Sequence, residues 1–245
     1  MDRRPLTLRL LLAATTLALL GGAPPARAVD ELVTSLSMPG GDPVPYILTT
    51  NPGQPAYLAI MMPGGRGMLH AREENGRIAM SLSFNFLIRT RELFAADGRI
   101  VVVSTDATTT PGRILAIAND VQKRFGPLSV YVMGTSRSTE STRALTRPLD
   151  GRVAGFVHSS SMNSIASLDP RSLKSRHLIV LHMRDACYAT KPSSGIASHK
   201  AYGTDLIEID GGRSVSDDCG ATAHHGYYGV EAETVERIRQ WITRQ

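Results

Sequence analysis

The chain has 245 residues, of which 42% are hydrophobic, 20% charged and 5% aromatic. That balance excludes a disordered chain, and 22 Gly with 14 Pro are too few for a collagen-like or linker protein. Two cysteines exclude a disulfide scaffold and a four-ligand zinc site, and the net charge of +5 leaves a nucleic-acid partner to be tested against where the charge lies.

Residues 1–28 read as an address, not as structure. Arg3, Arg4 and Arg9 give a positive start, Leu10 to Leu20 form an apolar run, and Gly21, Gly22, Pro24 and Pro25 break it. Ala26-Arg27-Ala28 supplies small residues at the two positions a signal peptidase reads. The expectation is a cleaved secretory signal peptide, hence a secreted or periplasmic protein. The apolar run is short for a stable membrane span. Removing residues 1–28 takes away four Arg and one Asp, so the remaining 217 residues carry +2 instead of +5. The basic balance belongs largely to the address, and no nucleic acid is expected as a partner.

After residue 28, short apolar runs alternate with amphipathic stretches, which predicts one α/β domain over 29–245 with a mostly parallel sheet of about eight strands. Segments 33–37 and 44–48 read as an opening hairpin or meander. Residues 56–62 form a strand ended by Pro63-Gly64-Gly65. Residues 84–96 read as one helix with Phe86, Leu87, Leu93 and Phe94 on its apolar side and Gly98 as its stop. The β-branched run 100–104 is a buried strand. A helix over 113–125 follows, with Ile114, Ile117, Val121 and Phe125 on one face. Strands at 129–133, 153–157, 178–182 and 206–209 come next, with a helix over 138–145 between the first two. A closing helix spans 231–241, where Glu233 and Arg237 pair at i, i+4. No insertion is long enough for a large cap.

Gly134-Thr135-Ser136-Arg137-Ser138 stands between a strand and a helix. A nucleophile elbow needs this context: a sharp turn that exposes the central Ser, with small residues two before and two after. The bland alternative is an ordinary turn with an N-capping Ser. A nucleophilic Ser needs a base, and the base an orienter. Asp185 follows a buried strand, and His225 precedes the last helix. The chain order Ser136, Asp185, His225 is that of α/β-hydrolases. His224 competes with His225, and Asp106, Asp217 and Asp218 compete with Asp185. For an oxyanion hole, the N–H of Arg137 and one from the 62–67 glycine loop, Gly65, are the candidates. Arg66 and Arg137 would flank the pocket mouth, either favouring a carboxylate or simply solvated. A Cys187–Cys219 bridge would tie the acid loop to the base loop, worth roughly 3.5 kcal/mol by chain entropy. No metal or cofactor is required by this chemistry.

With those residues in place the sequence resembles a single-domain α/β-hydrolase, in particular a group of small exported bacterial α/β-hydrolase-like proteins. The resemblance rests on Gly134 to Thr139, on Arg184-Asp185-Ala186-Cys187, and on Cys219 with His224-His225-Gly226-Tyr227. It spans nearly all of the chain after residue 28. It implies a serine-hydrolase triad at Ser136, Asp185 and His225, and carries the fold further than the substrate. The activity expected of that triad is cleavage of a small-molecule ester, or a lactone or amide. One position departs: Ser138 stands where the group's elbow has Gly. That keeps a non-catalytic ligand- or partner-binding protein on the same fold as the rival, with a peptidase as a second.

Overall fold

The computed structural model describes residues 29–38 and 41–244; the expected signal segment lies outside them. The main sheet is built from β1 (Asp30–Leu36), β2 (Val44–Thr50), β3 (Tyr57–Met62), β6 (Ile100–Thr105), β7 (Ser129–Thr135), β8 (Gly155–Ser159), β9 (Arg176–His182) and β10 (Asp205–Ile209). Between β3 and β6 a small hairpin, β4 (Arg72–Glu74) and β5 (Arg77–Ala79), stands apart from it. The eight strands lie in the order β1-β2-β6-β3-β7-β8-β9-β10. β1 and β2, and β2 and β6, pair antiparallel, and every other pair is parallel. This is the expected α/β-hydrolase architecture. The front of the sheet is not in sequence order, because β6 inserts between β2 and β3.

Among the described residues six helices cover the sheet: α1 (Phe86–Arg89), α2 (Arg91–Ala95), α3 (Pro111–Phe125), α4 (Ser138–Thr146), α5 (Pro192–Tyr202) and α6 (Glu231–Thr243). Strand side chains alternate between faces. Ala59 and Met61 of β3 join α1, α2 and α6 in one core, through Phe86, Phe94, Ile238 and Trp241. Leu58, Ile60 and Met62 join α3 and α4 in the other, through Ile114, Ile117 and Leu145. All six β3 residues are buried, so its near-continuous apolar run records a strand covered on both sides.

Some expected elements differ. The single helix over 84–96 is two short ones, broken at Thr90. The Thr90 hydroxyl donates to the Phe86 carbonyl at 2.7 Å, and its backbone leaves the helical region at φ −102°, ψ 3°. Leu93, expected on the apolar side, is exposed. The strand expected at 153–157 starts two residues later: the Val153 N–H still donates to the Leu149 carbonyl of the preceding turn, and Ala154 is the first residue to bond the neighbouring strands, through Val130 and Arg176. Helix α5 and the β4–β5 hairpin had no expectation. The longest connection between successive sheet strands, 63–99, holds only the hairpin and two short helices, so no large cap stands over the sheet among the described residues.

Candidate active site

The parallel strands β7 and β9 end at one edge of the sheet, and the segments that leave them carry Ser136 and Asp185. Ser136 follows β7 directly and has φ +52°, a left-handed conformation that costs a non-glycine residue about 1–3 kcal/mol. Its N–H donates to the Ser159 carbonyl at 2.9 Å, and its carbonyl accepts from the Thr139 N–H and hydroxyl at 3.0 and 2.6 Å. The turn is thus pinned on both sides. Gly134 is required by closeness: a Cβ there would stand 2.6 Å from the Ser138 carbonyl oxygen. Gly64 meets the elbow from β3, where a Cβ would stand 2.8 Å from Thr135 O and 2.9 Å from Ser136 Cβ. Ser138 is buried, and its hydroxyl accepts from the Thr135 N–H at 2.9 Å while lying 2.7 Å from the Met62 carbonyl. The extra hydroxymethyl therefore fills a place between two strands and does not crowd the turn.

Asp185 lies three residues beyond β9, and His225 in a short 3-10 turn before α6. Both are buried, and His225 Nδ1 lies 3.0 Å from Asp185 Oδ2. The other carboxylate oxygen accepts from the Cys187 N–H at 2.9 Å. Thr190 completes the group: its hydroxyl donates to Asp185 Oδ2 at 2.9 Å and lies 3.0 Å from His225 Nδ1. An imidazole held at Nδ1 by a carboxylate carries its proton there and presents Nε2 as a base. The His225 backbone is anchored as well, since the Ser160 hydroxyl donates to its carbonyl at 2.6 Å. Tyr227 donates to the Val180 carbonyl and accepts from the Ser160 N–H, both at 2.9 Å. Burial pushes its phenol well above the ordinary range, so it stays a neutral strut.

The competing residues are engaged elsewhere. His224 stacks on His182, ring centroids 4.7 Å apart. Asp106 accepts from the Leu69 and His70 N–H groups at 2.6 and 3.2 Å, bracing the glycine loop. Asp217 and Asp218 are exposed. Cys187 and Cys219 are bonded sulfur to sulfur, joining the loop after Asp185 to the loop before His225. Asp185, Cys187 and His225 offer atoms within 4.8 Å of one another, close enough to hold a metal. The Cys187 sulfur is committed to Cys219 and the other two to each other, a donor set that suits a proton-handling pair better than a cation.

Ser136 and His225 line one cavity of about 350 Å³. No hydrogen bond joins their side chains among the described residues; in free enzymes such contacts often close only around substrate. Gly64 and Gly65 form one wall, and the Gly65 and Arg137 N–H groups donate to no described acceptor. Leu82, Phe84 and Phe86 form an apolar wall. No Asp, Glu, Lys or Arg lines the cavity, and Arg66 and Arg137 are exposed outside it. Sequence reasoning missed Thr190, Asn85 and the apolar wall. Thr190 precedes Lys191-Pro192 at a helix entrance, where a threonine reads as a turn residue.

No family model matches the chain, and no curated protein does. Solved structures do. A fungal esterase from Rhizomucor miehei superposes with a TM-score of 0.61 at 12% identity, over 92% of this chain and 84% of that one. A dienelactone hydrolase from Anabaena variabilis gives 0.60 at 13% identity, over 87% and 97%. A serine hydrolase without lid from Xanthomonas campestris gives 0.54 at 12% identity, over 90% and 99%. Identities this low carry architecture and leave chemistry to the site. The strand order, the helices on both faces and these likenesses agree: the chain has the α/β-hydrolase fold.

Proposed function

We propose that the chain is a serine hydrolase, carboxylesterase-like, that cleaves a small-molecule ester, with a lactone or amide as variants the same chemistry accepts. The observation that carries this reading is the 3.0 Å contact of His225 with buried Asp185, on the wall of the cavity that also holds Ser136 at its left-handed elbow. His225 Nε2 takes the Ser136 proton as Oγ adds to the carbonyl carbon. Asp185 holds the tautomer and stabilises the imidazolium. The Gly65 and Arg137 N–H groups receive the oxyanion, helped by the N-terminal end of α4. His225 then protonates the leaving alcohol, and water resolves the acyl-enzyme by the same relay in reverse. Leu82, Phe84 and Phe86 favour an apolar acyl group over a carboxylate-bearing one.

The same reading includes export: residues 1–28 act as a cleaved signal, and the Cys187–Cys219 bond forms in an oxidising compartment. Among the described residues no helix is long and apolar enough to cross a membrane. A serine-reactive fluorophosphonate should label the protein, and Ser136→Ala should abolish both labelling and turnover of short acyl esters. A wild type that is neither labelled nor active leaves the fold as a ligand-binding scaffold. Faster turnover of aminoacyl amides than of esters would make it a peptidase.

A further inference from the structure

Asn85 lines the cavity with a side-chain amide that the triad and the two backbone donors leave unused. It opens α1, the place where an asparagine ordinarily turns its side chain back to cap the helix. Here it makes no side-chain cap bond. Its Oδ1 is buried with no hydrogen-bond partner, a state native proteins seldom leave without a reason. The backbone, by contrast, is fixed: the Asn85 N–H donates to the Leu82 carbonyl at 2.8 Å, and its carbonyl accepts from Ile88 and Arg89 at 3.1 and 2.9 Å. The side chain thus springs from a fixed backbone, and its amide is uncommitted.

Its position says what it faces. Asn85 Nδ2 and Ser136 Cβ lie 3.4 and 2.9 Å from the same point, the place a Cβ on Gly64 would occupy. The amide and the nucleophile's stem thus share one face of Gly64, beside the Gly64–Gly65 turn. A 180° turn of the amide exchanges its two ends, so the group can present N–H toward the cavity from either position.

We propose that Asn85 is a further catalytic residue, whose side-chain amide donates a third hydrogen bond to the oxyanion beside the Gly65 and Arg137 N–H groups. The proposal rests on the serine-hydrolase reading of Ser136. As Oγ adds to the carbonyl carbon, the electron pair of the C=O bond moves onto oxygen. The Asn85 N–H then meets a charge that the ground-state ester does not carry. An interaction made only in the transition state raises kcat and leaves KM nearly unchanged.

The test compares wild type, Asn85→Ala and Asn85→Asp in p-nitrophenyl ester kinetics, in fluorophosphonate inactivation and in thermal unfolding. Loss of one oxyanion donor should lower kcat about 100-fold in both variants. KM should stay within about threefold of wild type, since ground-state binding is not what the contact supplies. The inactivation rate should fall with kcat. Melting temperature should hold or rise in Asn85→Ala, because the side chain removed there makes no internal bond. A kcat unchanged in Asn85→Ala, a loss confined to KM, or a fall in melting temperature that accounts for the lost activity each overturns the proposal. Failure of the parent reading looks different: wild type itself is then neither labelled nor active.

Discussion

The Ser138 hydroxyl lies 2.7 Å from the Met62 carbonyl and also accepts from the Thr135 N–H, so one side chain ties the start of α4 to the ends of β3 and β7. The position that departs from the group's glycine is therefore a clasp between the elbow and the strand that leads into the glycine loop. Ser138→Ala and Ser138→Gly both leave the buried Thr135 N–H without its acceptor, at a cost of about 1–3 kcal/mol. Melting temperature should fall by roughly 2–12 °C in a domain of this size. Ester turnover should fall in parallel as Ser136 loosens. A Ser138→Gly variant as stable and active as wild type would show that the hydroxyl contributes nothing.

Thr190 bridges Asp185 and His225 at 2.9 and 3.0 Å. Thr190→Val keeps the shape and removes the bridge. One lost hydrogen bond of about 1–1.5 kcal/mol corresponds to roughly tenfold in kcat. KM should stay nearly constant, and Thr190→Ser should restore most of the rate. If Thr190→Val matches wild type across pH, the Asp185–His225 contact is sufficient by itself.

Protein recovered from an oxidising compartment should take up no thiol-alkylating reagent until it is reduced, because Cys187 and Cys219 are bonded. Removing the bond, by reduction or as Cys219→Ser, should cost about 3.5 kcal/mol by loop entropy. Melting temperature should drop by roughly 7–14 °C. Two thiols alkylated without reduction would contradict the bond.

The fold was legible because its signals are local and redundant. The apolar runs of β3, β6 and β9 stand between turn residues, and Gly134 to Ser138 joins a strand to a helix. What failed was local in another way. Thr90 breaks a helix by bonding its own backbone four residues back, and composition is the same whether it does so or not. At the site, the order of Ser136, Asp185 and His225 was readable, since each sits where an element ends. Thr190 and Asn85 were not. Their placement depends on which atoms they meet, Asp185 and His225 for Thr190 and the space beside Gly64 and Ser136 for Asn85. His224 and His225 could be separated only by packing, through the stacking of His224 on His182.

Behind the elbow, His158 and His177 form a buried pair, Nε2 to Nδ1 at 3.3 Å, stacked with Phe156. Burial holds His158 well below its ordinary value of 6.5 and lowers His177 to about 4. Both are neutral when folded, and the unfolded chain protonates them below pH 6.5. Proton uptake on unfolding makes stability rise with pH. This stability is complete above 6.5 and is lost as pH falls from 6.5 toward 4. The slope is about 1.4 kcal/mol per pH unit for each proton taken up. His177→Phe removes one titrating ring and the unpartnered His177 Nε2. Denaturant unfolding at pH 7 and pH 5 should show a smaller acid loss in that variant, by up to about one proton's slope. An unchanged pH slope would mean that His177 is protonated in the folded protein.

Arg89 holds the two sides of the cavity together. Its guanidinium donates to the Phe84 carbonyl at 2.6 Å and to the Gly226 carbonyl at 2.5 Å, with Glu231 3.0 Å away as its counter-ion. Phe84 belongs to the apolar wall, and Gly226 follows His225 directly. The five-donor fork is what allows one side chain to serve both walls, and a lysine's single ammonium cannot reproduce that geometry. Arg89→Lys should therefore behave much like Arg89→Ala. Charge-assisted bonds are worth about 1.5–3 kcal/mol each, but part of the strain relaxes when a loop is freed. We expect kcat/KM to fall roughly 10- to 100-fold, through both a higher KM as the apolar wall spreads and a lower kcat as His225 drifts. Glu231→Gln retains the two carbonyl bonds and should lose much less. Equal losses in Glu231→Gln and Arg89→Ala would place the effect in the ion pair at the start of α6, not in the clamp across the cavity.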